Sequence, residues 1–212
     1  MPAILLTGVR SKIIQELKPL LPCAPRELTR EQCEMSSVGS VDSYRDLIAA
    51  SNRIVLAHGT ISGKAFLERV GNNIEASLNC NLLSMVRVCE IALANNPNVR
   101  IVVIGSESAR KGSFDLAYSL AKAGLEAYVT NRRLEHPGQQ LMCVSPSMIE
   151  DSGMAAQKTE AEISAAKTAT PKGRGLTASE VARMIHYLLY VDEGYTTNTV
   201  IRMDGGKFAG KG

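Results

Sequence analysis

Tyr118 and Lys122 stand four positions apart in the run Ala117-Tyr118-Ser119-Leu120-Ala121-Lys122-Ala123-Gly124, which reads as helix. Residues i and i+4 of a helix project from one face, so a phenol and an ammonium here reach the same small volume. A cationic neighbour favours phenolate and lowers a tyrosine pKa toward the working range of a general acid/base. Upstream, the apolar run Ile101-Val102-Val103-Ile104-Gly105 ends in Ser106. Its composition predicts a strand, and in open α/β sheets ligands bind at the carboxyl ends of strands. A hydroxyl there can hydrogen-bond a carbonyl or alcohol oxygen held next to the tyrosine. Ser108 competes for that role, and a helix-cap or turn serine is the structural alternative. The sequence Gly105-Ser106-Glu107-Ser108-Ala109 departs from G-x-S-x-G, which disfavours a hydrolase nucleophile elbow.

The elements that must position these side chains alternate along the chain. Strand-like runs lie at residues 3–7, 53–57, 99–105, 140–145 and 199–203. Helical patterns lie at 11–20, 43–50, 73–95, 117–134 and 178–189. Strands apolar on both faces suit a parallel sheet covered by helices, and β-then-α alternation implies a doubly wound α/β domain. Asn95-Asn96-Pro97 and His136-Pro137-Gly138 close two of the helices, and Thr177-Ala178-Ser179-Glu180 has the pattern of a capping box opening the last. Residues 154–175 turn Ala/Thr/Lys-rich and then Pro/Gly-rich. Such a stretch after a strand end reads either as a mobile flap over a ligand crevice or as an ordinary surface helix and loop.

Composition narrows the function classes. The chain has 212 residues, 45% hydrophobic and 21% charged, as in ordinary globular domains. Its net charge of +3 is too weak a footprint for a dedicated DNA binder, and 4% aromatics with no Trp leave little for stacking on single strands. Nucleic acid is therefore not an expected partner. No uninterrupted apolar run reaches membrane-spanning length, so no membrane span is expected. The start, Met1-Pro2-Ala3-Ile4-Leu5-Leu6-Thr7-Gly8, reads as a first strand rather than a signal peptide. Cys23, Cys33, Cys80, Cys89 and Cys143 show no C-x-x-C spacing, so reduced cytoplasmic thiols are expected and no metal site is suggested.

Taken in order, these motifs resemble the short-chain dehydrogenase/reductase family along essentially the whole chain from Ala3. The strand ending in Ser106 resembles the family's catalytic-serine strand, and Tyr118-x-x-x-Lys122 its catalytic pair. Asn81-Leu82-Leu83-Ser84 is similar to its N-L-x-G/S element, with Asn79 as the rival assignment. Ala57-His58-Gly59 stands where the family has N-A-G. Val144-Ser145-Pro146-Ser147-Met148-Ile149 resembles the P-G-x-I segment beside the nicotinamide. Gly173–Ala182 and Met203-Asp204-Gly205-Gly206 resemble its closing elements. The resemblance implies a Rossmann-type sheet in three α/β/α layers, forming a single domain over residues 1–212 and binding NAD or NADP. It implies that Tyr118 exchanges a proton with a carbonyl or alcohol oxygen while hydride passes to or from the nicotinamide. Lys122 then holds the ribose hydroxyls and biases Tyr118 toward ionisation, Ser106 polarises the substrate oxygen, and Asn81 positions a proton-relay water. Cofactor contacts are expected from Thr7, Gly8, Ala57, His58, Gly59, Tyr118, Lys122, Pro146, Ser147 and Ile149, with Glu34 and Met35 lining the adenine. His58 is expected as a structural hydrogen-bonder rather than a base.

The departures gather at the nucleotide end. The family's first turn is T-G-x-x-x-G-I-G; here it is Thr7-Gly8-Val9-Arg10-Ser11-Lys12-Ile13-Ile14. Lys12 and Ile14 replace glycines that admit the pyrophosphate and the helix. Arg10, Ser11 and Lys12 can compensate as phosphate donors, or the turn has stopped binding phosphate. The stretch between Gly8 and His58 is short for two strands and two helices, and Leu21–Leu28, with two prolines, makes a poor central strand. Arg10, Lys12 and Arg26 tilt the expectation toward NADP, although Arg26 also reads as a solvated loop residue.

The function expected is an NAD(P)-dependent oxidoreductase acting on a small carbonyl or alcohol. A non-catalytic scaffold on the same fold, and a non-redox isomerase or dehydratase, are the alternatives. By the resemblance, helices 73–95 and 117–134 pair between subunits of a homodimer or homotetramer. Val86, Ala94, Ala121, Leu125 and Val129 are the candidate apolar contacts, with core packing an equal claimant. Lys158, Lys167, Lys172 and Arg174 point to an anionic substrate or simply to a solvated surface.

Overall fold

The computed structural model describes residues 3–61, 73–153, 155 and 159–209. Six parallel strands form one sheet in the order β2-β1-β3-β4-β5-β6: β1 (Ile4–Thr7), β2 (Arg26–Leu28), β3 (Arg53–Leu56), β4 (Arg100–Ile104), β5 (Gln140–Pro146) and β6 (Thr199–Met203). The order reverses between β1 and β3, so a crevice opens at their carboxyl ends, where open α/β sheets take ligands. The register sets Thr7 against Leu56 across that gap.

Alternating side chains of each strand feed two separate cores, as a sheet covered on both faces requires. Leu5, Ile54, Leu56, Ile101, Val103, Leu141 and Cys143 pack with α2 (Val38–Asp42), α3 (Arg45–Ala49), α5 (Ser84–Asn95) and α7 (Leu116–Asn131). Ile4, Leu6, Val55, Val102, Ile104, Met142 and Val144 pack with α1 (Lys12–Leu17) and α9 (Ala178–His186). The three-layer Rossmann-like arrangement is the one the alternation implies.

Several boundaries shift from the expected ones. β2 is a strand after all, but an edge strand of three residues just after Pro25, a position where a lost donor is harmless. The helix expected at 43–50 is α3, and α2 is a separate short helix before it. The helix at 73–95 runs as α4 (Asn73–Leu78), a π turn (Asn79–Leu83) and α5. By length and composition alone Ile74–Asn95 also qualifies as a membrane span, contrary to expectation; here half of it is buried, with Met85, Val88, Cys89, Ile91 and Ala92 spent in the core. α6 (Ser108–Lys111) lies outside the expected elements, and α8 (Glu160–Thr168) is a surface helix of the kind the second reading of residues 154–175 allows. Residues 154 and 156–158 of that flap, Lys158 among them, lie outside the described residues. The neck of the segment is tied: Glu150 N–H donates to Leu176 O at 2.8 Å, Leu176 N–H to Met148 O at 3.1 Å, and Ala178 N–H to the Asp151 carboxylate at 2.8 Å.

Candidate functional site

α7 carries the phenol and the ammonium. Its first turn is capped by Asp115, whose carboxylate accepts the Tyr118 N–H at 3.0 Å, fixing where the helix starts. Tyr118 is 6% exposed and Lys122 2%. Lys122 Nζ lies 5.7 Å from the Tyr118 ring centroid and donates to the carbonyl of Ile104, the last residue of β4, at 2.7 Å. Burial pulls the Lys122 pKa down to about 8, with Cys143, Cys80 and Glu126 opposing the shift. Burial likewise raises that of Tyr118, outweighing the hydrogen bond from Ser106, and the Asp115 carboxylate adds to the rise. The expected lowering of the tyrosine pKa by its cationic neighbour is therefore reversed: desolvation of the phenolate wins.

Ser106, not Ser108, meets the tyrosine. Its Oγ accepts the Ser108 N–H at 3.2 Å, opening α6, and lies near enough to the Tyr118 hydroxyl to favour its ionised form. The next residue, Glu107, donates its N–H to Pro146 O at 2.9 Å, tying the Ser106 loop to the end of β5. Ser147 and Ile149 follow there, the first bonded to Met203 O at 3.0 Å and the second bridged to Leu176.

Asn81, not Asn79, is the fully buried asparagine, and its side chain is committed to the loop after β3. Oδ1 accepts the Thr60 N–H and Nδ2 donates to the Thr60 carbonyl, both at 2.9 Å, with Ser77 Oγ at 3.1 Å. The π turn places Asn81 against Gly59, where an added Cβ would come within 2.8 Å of Oδ1. The side-chain amide thus has its hydrogen bonds taken up by Thr60 and Ser77.

At the switch point, Gly8 (φ +66°) lies so close to β3 that a Cβ would sit 2.3 Å from the Ala57 carbonyl group. A chain of hydrogen bonds ties the same place together. Thr7 Oγ1 meets His58 Nδ1 at 2.7 Å, His58 Nε2 meets Ser84 Oγ at 3.0 Å, and Ser84 donates to Cys80 O at 3.0 Å. Since Ser84 spends its proton on Cys80, Nε2 carries the imidazole proton and Nδ1 accepts from Thr7, while Thr7 accepts the Ala57 N–H at 3.2 Å. Burial first, and the Lys122 charge second, pull the His58 pKa down to about 3, so the ring is neutral. His58 links β1, β3 and the π turn structurally.

The expected phosphate donors are placed otherwise. Arg10 pairs with Glu31, and Lys12 with Glu16 at 2.8 Å. Ser11 caps α1 by accepting the Ile14 N–H, and Ile14 is buried against the sheet. Met35 is 5% exposed within the core, and Glu34 is turned to Ser36 and Arg30. Arg26 opens β2, at the end away from the crevice. Lys167 and Arg174 pair with Glu150 and Glu180. A groove of about 490 Å³ beside α8, lined by Ile163, Lys167 and Gly173, includes none of the Asn81, Ser106, Tyr118 and Lys122 set.

The chain is similar to known proteins. The family model described as enoyl-(acyl carrier protein) reductase matches residues 31–207. The chain belongs to the short-chain dehydrogenase/reductase family. It is similar to the 3-oxoacyl-[acyl-carrier-protein] reductase MabA of Mycobacterium tuberculosis, at 28% identity over 193 residues, 86% of this chain and 78% of that protein. It is also similar to the reductase FabG of Pseudomonas aeruginosa, at 28% over 137 residues, 62% and 55% of the two chains. A short-chain dehydrogenase/reductase from Brucella melitensis has the same fold (TM-score 0.83, 20% identity, 97% and 96% covered). So does actinorhodin polyketide ketoreductase with NADPH (TM-score 0.80, 21% identity, 98% of each chain). These findings make the chain an oxidoreductase by family.

The family implies a nicotinamide dinucleotide, and Lys122 supplies the structural test of fit. An ammonium has three donors. Among the described residues the Ile104 carbonyl is the acceptor that takes one, and burial keeps water from the rest. A pair of vicinal ribose hydroxyls is the chemistry that completes this donor set. The nicotinamide half therefore fits, while the first turn offers Arg10 and Lys12 only in competition with Glu31 and Glu16.

A group whose folded pKa is depressed from 6.5 to about 3 binds its proton in the unfolded state first, so His58 makes the fold lose stability as pH falls through that window. His58→Asn removes this. Between pH 6 and 4, urea unfolding of wild type should fall more steeply than that of His58→Asn, by up to about 1.4 kcal/mol per pH unit. Parallel slopes would contradict the neutral, buried ring.

Proposed function

We propose that the protein is an NAD(P)-dependent reductase interconverting a carbonyl and an alcohol, with Tyr118 as the general acid/base. The observation that carries this reading is the buried Tyr118 hydroxyl beside Ser106, with Lys122 one helical turn further along α7. When bound, the nicotinamide supplies or accepts the hydride. In the reducing direction Tyr118 Oη gives its proton to the substrate oxygen. Ser106 Oγ, a neighbour of that hydroxyl, donates to the same oxygen and fixes its position. Lys122 Nζ holds the ribose hydroxyls and stabilises the phenolate left behind. Thr7, Gly8, Ala57, His58 and Gly59 form the floor of the crevice, and Pro146, Ser147 and Ile149 its far wall. Asn81 shapes it by holding Gly59-Thr60. NADP is favoured on the positive side chains Arg10 and Arg30 near the carboxyl end of β2, a change from Arg26. The relatives' reaction makes a short 3-oxoacyl thioester the first substrate to try.

A homo-oligomer belongs to the same reading. Ala121, Leu125 and Val129 are wholly buried inside the subunit and so are not partner contacts. The exposed apolar residues on that side are Leu83, Leu116 and Leu120, with Phe114 beside them. A second copy of the chain is the occupant proposed for this face, and Leu120→Asp should convert the species seen by sedimentation velocity to monomer. The same reading places the protein in the cytoplasm, which cell fractionation tests.

The decisive measurement is nicotinamide fluorescence with NADH and NADPH. One of them should bind below millimolar concentration, and Tyr118→Phe should then remove at least about a hundredfold of kcat on acetoacetyl-CoA while leaving binding within about twofold. Because the Lys122 ammonium donates to the ribose, affinity should be level below pH 8 and weaken above it, a dependence that Lys122→Met abolishes. No binding of either nucleotide would favour the scaffold reading, to which the internally paired Arg10 and Lys12 point.

A further inference from the structure

Glu107 follows Ser106 directly, yet nothing in the proton chemistry above uses its carboxylate, which is only 8% exposed. A carboxylate so enclosed must be paired. Lys111, one turn on in α6, holds Oε1, and Lys207 reaches Oε2 at 3.1 Å from the turn that follows β6. Lys207 is itself enclosed, its side chain 15% exposed. The turn is built to bring it there. Gly205 and Gly206 adopt φ +62° and +84°, the Gly206 N–H donates to Asp204 Oδ1 at 2.9 Å, and Lys207 N–H to Asp204 O at 3.2 Å. Phe208 then lies under the Arg110 guanidinium, 5.5 Å from its ring centroid. On its other side the turn packs on the end of the flap, where a Cβ on Gly205 would come within 2.6 Å of Thr170.

We propose that the Lys207–Glu107–Lys111 cluster is a latch by which the turn after β6 positions Ser106. It rests on the reading of Ser106 as the hydroxyl that meets the substrate oxygen. α6 is a single turn, too short to be stable alone. Its first carbonyls, Ser106 O and Glu107 O, accept from Ala109, Arg110 and Lys111, and its first N–H group, that of Ser108, is spent on Ser106 Oγ. Whatever holds Glu107 therefore holds the rotamer of Ser106. With its second contact on Thr170–Lys172, the same turn reports the position of the flap to the Ser106 loop. Lys207 and Glu107 are positioning residues; neither touches the reacting atoms.

Hydrogen exchange of the full chain, read over residues 105–113, tests the latch without any substrate. Lys207→Met and Glu107→Gln should each speed exchange of the Arg110, Lys111 and Gly112 amides about tenfold and leave the β1, β3 and β4 amides unchanged, while Lys207→Arg behaves as wild type. The double variant Glu107→Gln/Lys207→Met should be no worse than either single change, as coupled partners require. In turnover of acetoacetyl-CoA, Lys207→Met should lower kcat about tenfold with nucleotide Kd held within about twofold, and Lys207→Arg should restore it. Unchanged exchange in Lys207→Met overturns the latch even if Glu107→Gln proves unfolded. Faster exchange with undiminished kcat overturns its role in positioning Ser106. A wild-type protein inactive on every carbonyl probe overturns the proposed function instead, and the exchange arm still decides whether Lys207 holds the loop.

Discussion

Lys122 is an ammonium removed almost wholly from water, and the site is organised around keeping it there. A lone cation in such a place either sheds its proton or finds acceptors, and its pKa near 8 shows the balance lying close to neutrality. One acceptor is a backbone carbonyl at the end of β4, so the sheet itself fixes the ammonium against α7. Glu126, one turn further along α7, adds a compensating negative charge and is itself steadied by Ser145 Oγ at 2.6 Å. Gly105 makes the approach feasible: a Cβ there would strike Cys143 Sγ at 2.6 Å and crowd Glu126. The strand that ends in Ser106, the helix that carries Tyr118 and the neighbouring strand β5 are thus locked to one another through polar atoms beneath the crevice.

How much of this was legible in the sequence depended on the range of the interaction. The Tyr118–Lys122 pair lies within one helix, and the strand before Ser106 is a local apolar run, so both could be read directly. α8 was also legible, since Thr159-Glu160-Ala161-Glu162 carries the same capping-box pattern as Thr177–Glu180; both boxes are formed. β2 was not. Pro22 and Pro25 just before it argue against a central strand, and only the sheet order shows that it lies at the edge, where the argument lapses. The environment of Tyr118 was misjudged for a related reason. Spacing reports that a cation is near, but not how dry the phenol is, and the dryness dominates its pKa. Glu107 and Lys207, the two ends of the latch, are a hundred positions apart, and no periodicity connects them.

The nucleotide end shows the same contrast between inventory and placement. Counted in the sequence, Arg10, Ser11 and Lys12 look like three phosphate donors replacing lost glycines. Placed in the fold, the serine is an N-cap, the lysine an i,i+4 partner of Glu16, and the arginine half of an exposed pair with Glu31. Exposed pairs of this kind contribute little and exchange partners readily. A phosphate, with more charge than a carboxylate and better hydrogen-bond geometry, competes effectively for the same cations. Ile14 is different, because its side chain is part of the core between α1 and the sheet and is not free to move aside. The altered turn can change its ion pairs but not its packing.

Tyr118 and Lys122 are both protonated at neutral pH, the phenol because burial raises its pKa and the amine because its own is about 8. In the proposed function this state gives a proton more readily than it takes one. A neutral phenol beside Ser106 can donate to a carbonyl oxygen, and the phenolate then formed lies next to an ammonium that stabilises it. Taking a proton from an alcohol would require the phenolate first, against the desolvation that the fold imposes. Within the proposed function, the two side chains are therefore set for the reducing step, before any nucleotide is counted.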